Sequence, residues 1–209
     1  MRLLRNMVLL ALALPASPAV ADAGALPPLL TGEREIALAM SAGPPSIAKN
    51  ATIYVLKRGG YQLARAGTNG FACLVVREKA DTLEPQCYDP EGVASLLPVD
   101  LETARLRELG STPSEIEAAI GRGYAEGRFR PPRRGGVTYM LSTENLVFNG
   151  ERAVPYPPHI MIMAPYVTNA DIGADESDPA MPWVLNPGKP NAYIMVVVRD
   201  TASPHHMKP

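Results

Sequence analysis

Residues 51–78 read ATIYVLKRGGYQLARAGTNGFACLVVRE. Three strand-like runs stand here, Ala51 to Lys57, Tyr61 to Ala66 and Phe71 to Glu78, separated by Gly59-Gly60 and Asn69-Gly70. Gly-Gly and Asn-Gly supply the positive φ that tight hairpins demand. In the middle run Gln62, Ala64 and Ala66 share one face, and Tyr61, Leu63 and Arg65 the other. The third run is apolar on both faces, which predicts a strand in the middle of a covered sheet. The stretch is therefore expected to fold as an antiparallel three-strand meander.

Upstream, Thr31 is placed to cap a helix from Glu33 to Met40, and Gly43-Pro44-Pro45 stops it. Downstream, Lys79 to Pro98 reads as a loop carrying Cys87 and the turn Asp89-Pro90-Glu91-Gly92. Asp100 is positioned to cap a helix from Leu101 to Leu109, ended by Gly110. Thr112-Pro113-Ser114-Glu115 has the form of a capping box, and Ile116, Ala119, Ile120 and Tyr124 follow on one side of the next helix. Gly121 and Gly123 weaken that helix by up to ~1 kcal/mol each and suit close packing against the sheet. Strands return at Val137 to Leu141, in a hairpin around Asn149-Gly150, at His159 to Ala164 and at Ala192 to Val198. Strands, then helices, then strands imply one α+β domain over 31–200: an antiparallel sheet with two to three helices on one face.

The chain opens MRLLRNMVLLALALPASPAVADAGA. Arg2 and Arg5, the apolar run Met7 to Leu14 and the small residues Ala19 and Ala21 form a secretory signal peptide over 1–21, with Ala23 the alternative cleavage point. Residues 22–30 read as an extended arm and 201–209 as a flexible tail. No later stretch approaches the ~20 apolar residues of a spanning helix. The expected location is periplasmic or secreted, in a bacterium. Losing Arg2 and Arg5 takes the formal charge from -1 to -3, which gives no electrostatic reason to bind nucleic acid. An apolar fraction of 46% argues against disorder, and the 22 prolines lie between apolar runs as rigid connections.

Cys73 and Cys87 are the two cysteines. In an oxidising compartment they are expected to pair, closing a loop worth ~3 kcal/mol in the chain-entropy model. A reactive thiol at Cys73 is the alternative, but FACLVV offers no electropositive setting for a thiolate.

HIMIMAP, residues 159–165, puts His159, Met161 and Met163 on one face of a strand. Imidazole and thioether suit Cu(I), and with Trp183 as a cap the ligand set resembles that of small periplasmic copper-binding proteins, at a different spacing. Ile160 and Ile162 make the other face apolar too, so packing within a core is the simpler reading. Pro157-Pro158 sets His159 at the strand's mouth, where half exposure is expected. His205-His206-Met207 is a second soft cluster, in the tail. NADIGADESD, residues 169–178, carries Asp171, Asp175, Glu176 and Asp178, hard ligands suited to calcium, but the EF-hand spacing fails. RFRPPRRGG, residues 128–136, offers Arg128, Arg130, Arg133 and Arg134 to an anion or a partner.

Catalytic signatures are lacking. SIAK, Ser46 to Lys49, matches the four-residue motif of penicillin-binding enzymes, but no helix is expected to hold it and the two companion motifs are missing. A histidine triad could use only His159, with Ser142 or Asp171 as partners that sequence cannot place. The expectation is an exported cell-envelope binding or interaction protein without cofactor, meeting an envelope protein, a glycan or a small anion. The alternatives are an envelope hydrolase of unrecognised type and a copper-binding protein.

Overall fold

The structure, a computed structural model, describes residues 26–175, 178 and 181–198. The expected signal peptide (1–21) and tail (201–209) lie outside the described residues. Strands β1 (Thr52–Lys57) and β2 (Gly60–Arg65) form the expected hairpin, with Gly59 at φ 91° and Gly60 at φ 118°. Strand β3 (Ala72–Val76) does not continue the meander. It pairs with β1, in parallel, through Thr52 with Ala72 and Ile53 with Cys73. The reason lies in residues 66–70, which double back across the start of β1. The amide of Thr68 donates to Asn50 O (2.8 Å), and Asn69 Nδ2 donates to Ile47 O (2.8 Å). A Cβ at Gly67 would stand 2.2 Å from Thr52 N, so only glycine lets the two backbones pass.

The stretch read as a loop contains β4 (Glu84–Tyr88), antiparallel to the whole of β3. Cys73 and Cys87 are directly opposed in that pairing and joined by a disulfide, so the bond staples two neighbouring strands. Then come β5 (Val137–Met140), a separate ribbon of β6 (Leu146–Phe148) and β7 (Ala153–Pro155), β8 (His159–Met163), β9 (Trp183–Leu185) and β10 (Tyr193–Val197). The main sheet runs β2-β1-β3-β4-β5-β8-β10-β9, antiparallel except at β1–β3. The α+β single-domain expectation holds.

Five α-helices are seen among the described residues: α1 (Gly32–Ser41), α2 (Pro45–Ala48), α3 (Pro90–Ser95), α4 (Leu97–Glu108) and α5 (Pro113–Ala125). Thr31 caps α1 as expected, and the capping box at Thr112 and Glu115 is complete. Asp100 caps nothing. Pro98 sits comfortably in a first turn, so α4 starts at Leu97 and carries Asp100 into its body. Asp89 is the cap instead, accepting from Gly92 N (2.8 Å) at the head of α3. Ser46 and Lys49 do sit at a short helix, α2, contrary to expectation.

The helices cover both faces of the sheet rather than one. Alternation along β3 sends Cys73 and Val75 toward Leu38, Ala39 and Ala42 of α1. It sends Ala72 and Leu74 toward Leu96 and Leu97, where α3 meets α4. Gly123 packs on Phe129, where a Cβ would come within 2.3 Å of the ring, and not on the sheet. Strand β8 is also one-sided: His159, Met161 and Met163 are buried, while Ile162 is 39% exposed. His159 itself is 1% exposed, so it is a core residue and not a half-exposed one.

Candidate functional site

Strand β4 reads Glu84-Pro85-Gln86-Cys87-Tyr88. Period-two alternation turns Cys87 toward α1 and puts Glu84, Gln86 and Tyr88 together on the face under α4. A row of polar groups thus points into a buried layer. Because α4 begins at Leu97, the carboxylate of Asp100 comes down onto this row. Tyr88 Oη lies against Asp100 Oδ2 and 2.7 Å from Gln86 Oε1. Its single proton serves one acceptor at a time.

A cleft of about 1160 Å³ opens above, walled by α4, α5, the 78–81 turn, the β6–β7 ribbon and residues 186–191. An inner recess of about 330 Å³ shares Asp100, Arg107 and Asn186 with it and extends to Glu84, Arg77 and Tyr61. The outer cleft carries six acidic side chains against three basic ones. At its rim Lys189 Nζ pairs with Glu117 Oε1 (2.7 Å), tying the 186–191 loop to α5. Asn186 holds φ at 56°, the left-handed region that asparagine tolerates better than most residues.

Burial decides the charge states in the recess. It pushes the Glu84 carboxyl up to about 8, with the Glu78 carboxylate raising it further and Thr82 restraining it. It pushes Asp100 up to about 6, against the Tyr88 hydrogen bond and the Arg107 charge, which lower it. At neutral pH Glu84 therefore holds its proton while Asp100 is mostly ionised. Burial likewise holds the phenols of Tyr61, Tyr88 and Tyr193 well above their ordinary range. Two polar atoms here, Glu84 Oε1 and Arg77 Nε, are shut off from solvent and have no hydrogen-bond partner among the described residues. The remaining Arg77 nitrogens are engaged, Nη1 with Pro28 O (3.3 Å) and Nη2 with Ala80 O (3.0 Å).

The residues singled out in the sequence lie elsewhere. His159 lines neither the cleft nor the recess, and Arg128 lines a separate groove with Phe129. The positive charge of 128–134 is largely answered within the protein. Glu91 Oε1 accepts from Arg130 Nη1 (2.6 Å) and from the Arg133 amide (2.9 Å), and Arg134 Nε lies 3.3 Å from Glu91 Oε2. Arg128 pairs with Glu126 (3.2 Å) and lies 5.2 Å from the Phe129 ring centroid. In the acidic loop Asp171 Oδ2 accepts from Thr168 N (2.8 Å) and Thr168 Oγ1 (2.7 Å). Glu176 lies outside the described residues, among which no three His, Cys, Asp or Glu side chains are placed to hold a metal. No triad forms around His159 among the described residues. Ser142 Oγ bonds to Ser41 Oγ (2.8 Å), Asp171 is engaged with Thr168, and His159 Nδ1 bonds to Pro157 O (2.9 Å).

Sequence reasoning missed Glu84 and Asp100. Asp100 imitates a helix cap, and Pro85 hides β4. The legible signal was the alternation of Glu84, Gln86 and Tyr88 around an apolar-facing Cys87. Comparison with known proteins supplies no identity: no family model, no characterised protein and no solved structure matches the chain.

Proposed function

We propose that this is an exported, periplasmic or secreted binding protein of the cell envelope, and that its ligand is a hydroxyl-rich molecule, a glycan, held in the cleft over Asp100. The leader-like N-terminus and the paired cysteines support the compartment. The observation that carries the ligand class is the mixed lining of the recess, where the carboxyls of Glu84 and Asp100 stand with the guanidiniums of Arg77 and Arg107. A carboxyl oxygen accepts and a guanidinium donates, and a sugar hydroxyl can do the opposite of each. The acidic excess of the cleft opposes an anionic ligand, and carboxyls beside guanidiniums in the recess suit a polyol. Tyr124 and Phe148 add apolar faces to the outer cleft. The test is calorimetric titration with soluble envelope oligosaccharides, which should give saturable binding at one site per chain. Silence across neutral, acidic and amino sugars alike counts against the reading.

The same site favours a second reading, hydrolysis of a glycosidic bond. Glu84 and Asp100 line one recess and are held in opposite protonation states at neutral pH. That is the division of labour a general acid and a general base need. Glu84 would protonate the departing oxygen as its bond to the anomeric carbon breaks. Asp100 would take a proton from the water that attacks that carbon. Release of reducing ends, confined to the window between about pH 6 and 8 and lost in Glu84→Gln while binding persists, is the expected signature. Binding without any release leaves the first reading alone.

A further inference from the structure

The buried face of β5, β8, β10 and β9 gathers soft ligands that lie far apart in the sequence. Register sets them in rows. Met161 stands opposite Met195, and Met195 stands opposite Trp183, three strands in one line. In the adjoining row His159 stands opposite Met140. Met140, Met161 and Met195 are buried with Trp183 packed against them, and His159 is buried on the same strand face as Met161. Directly opposed residues have Cβ atoms ~5 Å apart, so flexible thioethers from both sides can converge on one small ion.

The histidine is prepared for the same task. A backbone carbonyl only accepts, so the 2.9 Å contact of His159 Nδ1 with Pro157 O makes Nδ1 the protonated nitrogen. The lone pair is then on Nε2. A ring N–H anchored to a backbone carbonyl, with the other nitrogen left basic, is the usual outer-sphere arrangement of a metal-bound imidazole. Tyr156 holds the ring edge-on at 5.0 Å between centroids, and its hydroxyl accepts from Trp183 Nε1 (3.4 Å), so Tyr156, His159 and Trp183 form one connected wall.

We infer that His159, Met161 and Met195, with Met140 in reach and Trp183 alongside, form a binding site for a soft monovalent metal ion, Cu(I). Neutral thioethers and an imidazole match a soft, singly charged ion and offer nothing to calcium or magnesium. Trp183, opposite Met195 in the register, brings an aromatic ring beside the site, and such a ring attracts a cation. Met163, paired with these residues by spacing alone, belongs elsewhere. A Cβ at Gly136 would stand 2.8 Å from Met163 Sδ, and one at Gly92 would stand 2.6 Å from Met163 Cε, so this side chain fills the space between those two glycines. The site is independent of the cleft over Asp100 and requires no redox step.

The experiment is an anaerobic titration of the oxidised protein with Cu(I) held by a competing chromophoric chelator, repeated with Ag(I). Two signals are read together: stoichiometry, and the fluorescence of Trp183, the chain's one tryptophan. One ion per chain and quenching by at least half are expected. Met161→Leu and Met195→Leu keep the volume and the fold, checked by circular dichroism, and each should weaken uptake at least tenfold. Met163→Leu should leave affinity unchanged. A variant with His205, His206 and Met207 all changed to Ala should retain both uptake and quenching. No uptake, uptake insensitive to Met161→Leu and Met195→Leu, or uptake lost with the 205–207 substitutions each overturns the inference.

Discussion

The hydroxyl of Tyr88, on β4, meets Oδ2 of Asp100, on α4, and this contact ties the helix layer to the sheet at the floor of the cleft. It joins a phenol that burial keeps protonated to a carboxylate that burial works to neutralise. Tyr88→Phe leaves the ring in place and removes the donor. Asp100 then loses the hydrogen bond that lowers its pKa, so its titration midpoint should move up from about 6. The unpaired carboxylate should cost on the order of 1–3 kcal/mol of stability. Carboxyl-carbon NMR titration reads the first effect and urea unfolding the second. An unmoved midpoint would show that the contact does not set the charge of Asp100.

Stability should fall as the pH rises above 6.5. Glu84, faced by Glu78, Thr82 and Asp100, binds its proton more tightly in the folded chain than its ordinary value of 4.5 allows. Folding therefore takes up a proton between about 4.5 and 8, and that stabilisation is lost as pH climbs through about 8. Asp100, faced by Tyr88 and Arg107, acts in the same direction up to about 6, and buried Glu35 has the same sign. His159 is held below its ordinary 6.5 by burial, so it acts oppositely, but only below that value. Carboxylates held down by exposed partners, such as Glu102 and Glu144, matter only in acid. Glu84 is left to govern the range from 6.5 to 8. A loss on the order of 1–2 kcal/mol across it is expected from linkage, and Glu84→Gln should flatten the curve. Urea midpoints at half-unit pH steps measure it.

Reduction should weaken the fold without remaking it. The disulfide spans 14 residues of sequence and joins β3 to β4 in the middle of the sheet. The chain-entropy model gives ~3 kcal/mol for such a loop. The pair Cys73→Ala with Cys87→Ala should melt roughly 5–10 °C lower at unchanged secondary structure. Thermal unfolding by circular dichroism, with and without reductant, checks it. No shift on reduction of the wild type would mean that the thiols were never paired in solution.

Two glycines of α5 should respond with opposite signs. A Cβ at Gly121 meets nothing within 4 Å, so Gly121→Ala should stabilise the helix by up to ~1 kcal/mol. A Cβ at Gly123 falls 2.3 Å from the Phe129 ring, so Gly123→Ala should destabilise by ~1–3 kcal/mol. Denaturant midpoints for the two variants distinguish them, and equal signs would refute the packing of Phe129 on α5.

The sequence carried much of this fold in local chemistry. The Gly59-Gly60 hairpin, the Thr31 cap, the Thr112 and Glu115 capping box and the Cys73–Cys87 pair are each written in neighbouring residues. What it hid depends on distant partners. Asn69-Gly70 looks like a hairpin turn, and only the passage of Gly67 beside Thr52 sends β3 to the far side of β1. Strand β4 begins Glu84-Pro85, a poor strand signal, and becomes a strand because β3 and β5 pair with it on either side. The cleft was illegible for the same reason: Glu84 and Asp100 acquire their meaning from burial beneath α4, which no local pattern records. His159, Met161 and Trp183 were visible as candidate soft-metal partners, but Met140 and Met195 join them only through sheet register.

The most direct test of the central claim, that the recess over Glu84 and Asp100 is built to hold a polyhydroxylated ligand, is a two-dimensional NMR titration of the oxidised protein with an envelope oligosaccharide. The account predicts saturable shifts confined to α4, the 78–81 turn and residues 186–191, with affinity at least tenfold weaker in folded Asp100→Asn. Shifts centred instead on 128–134, or an affinity unchanged by Asp100→Asn, would contradict it.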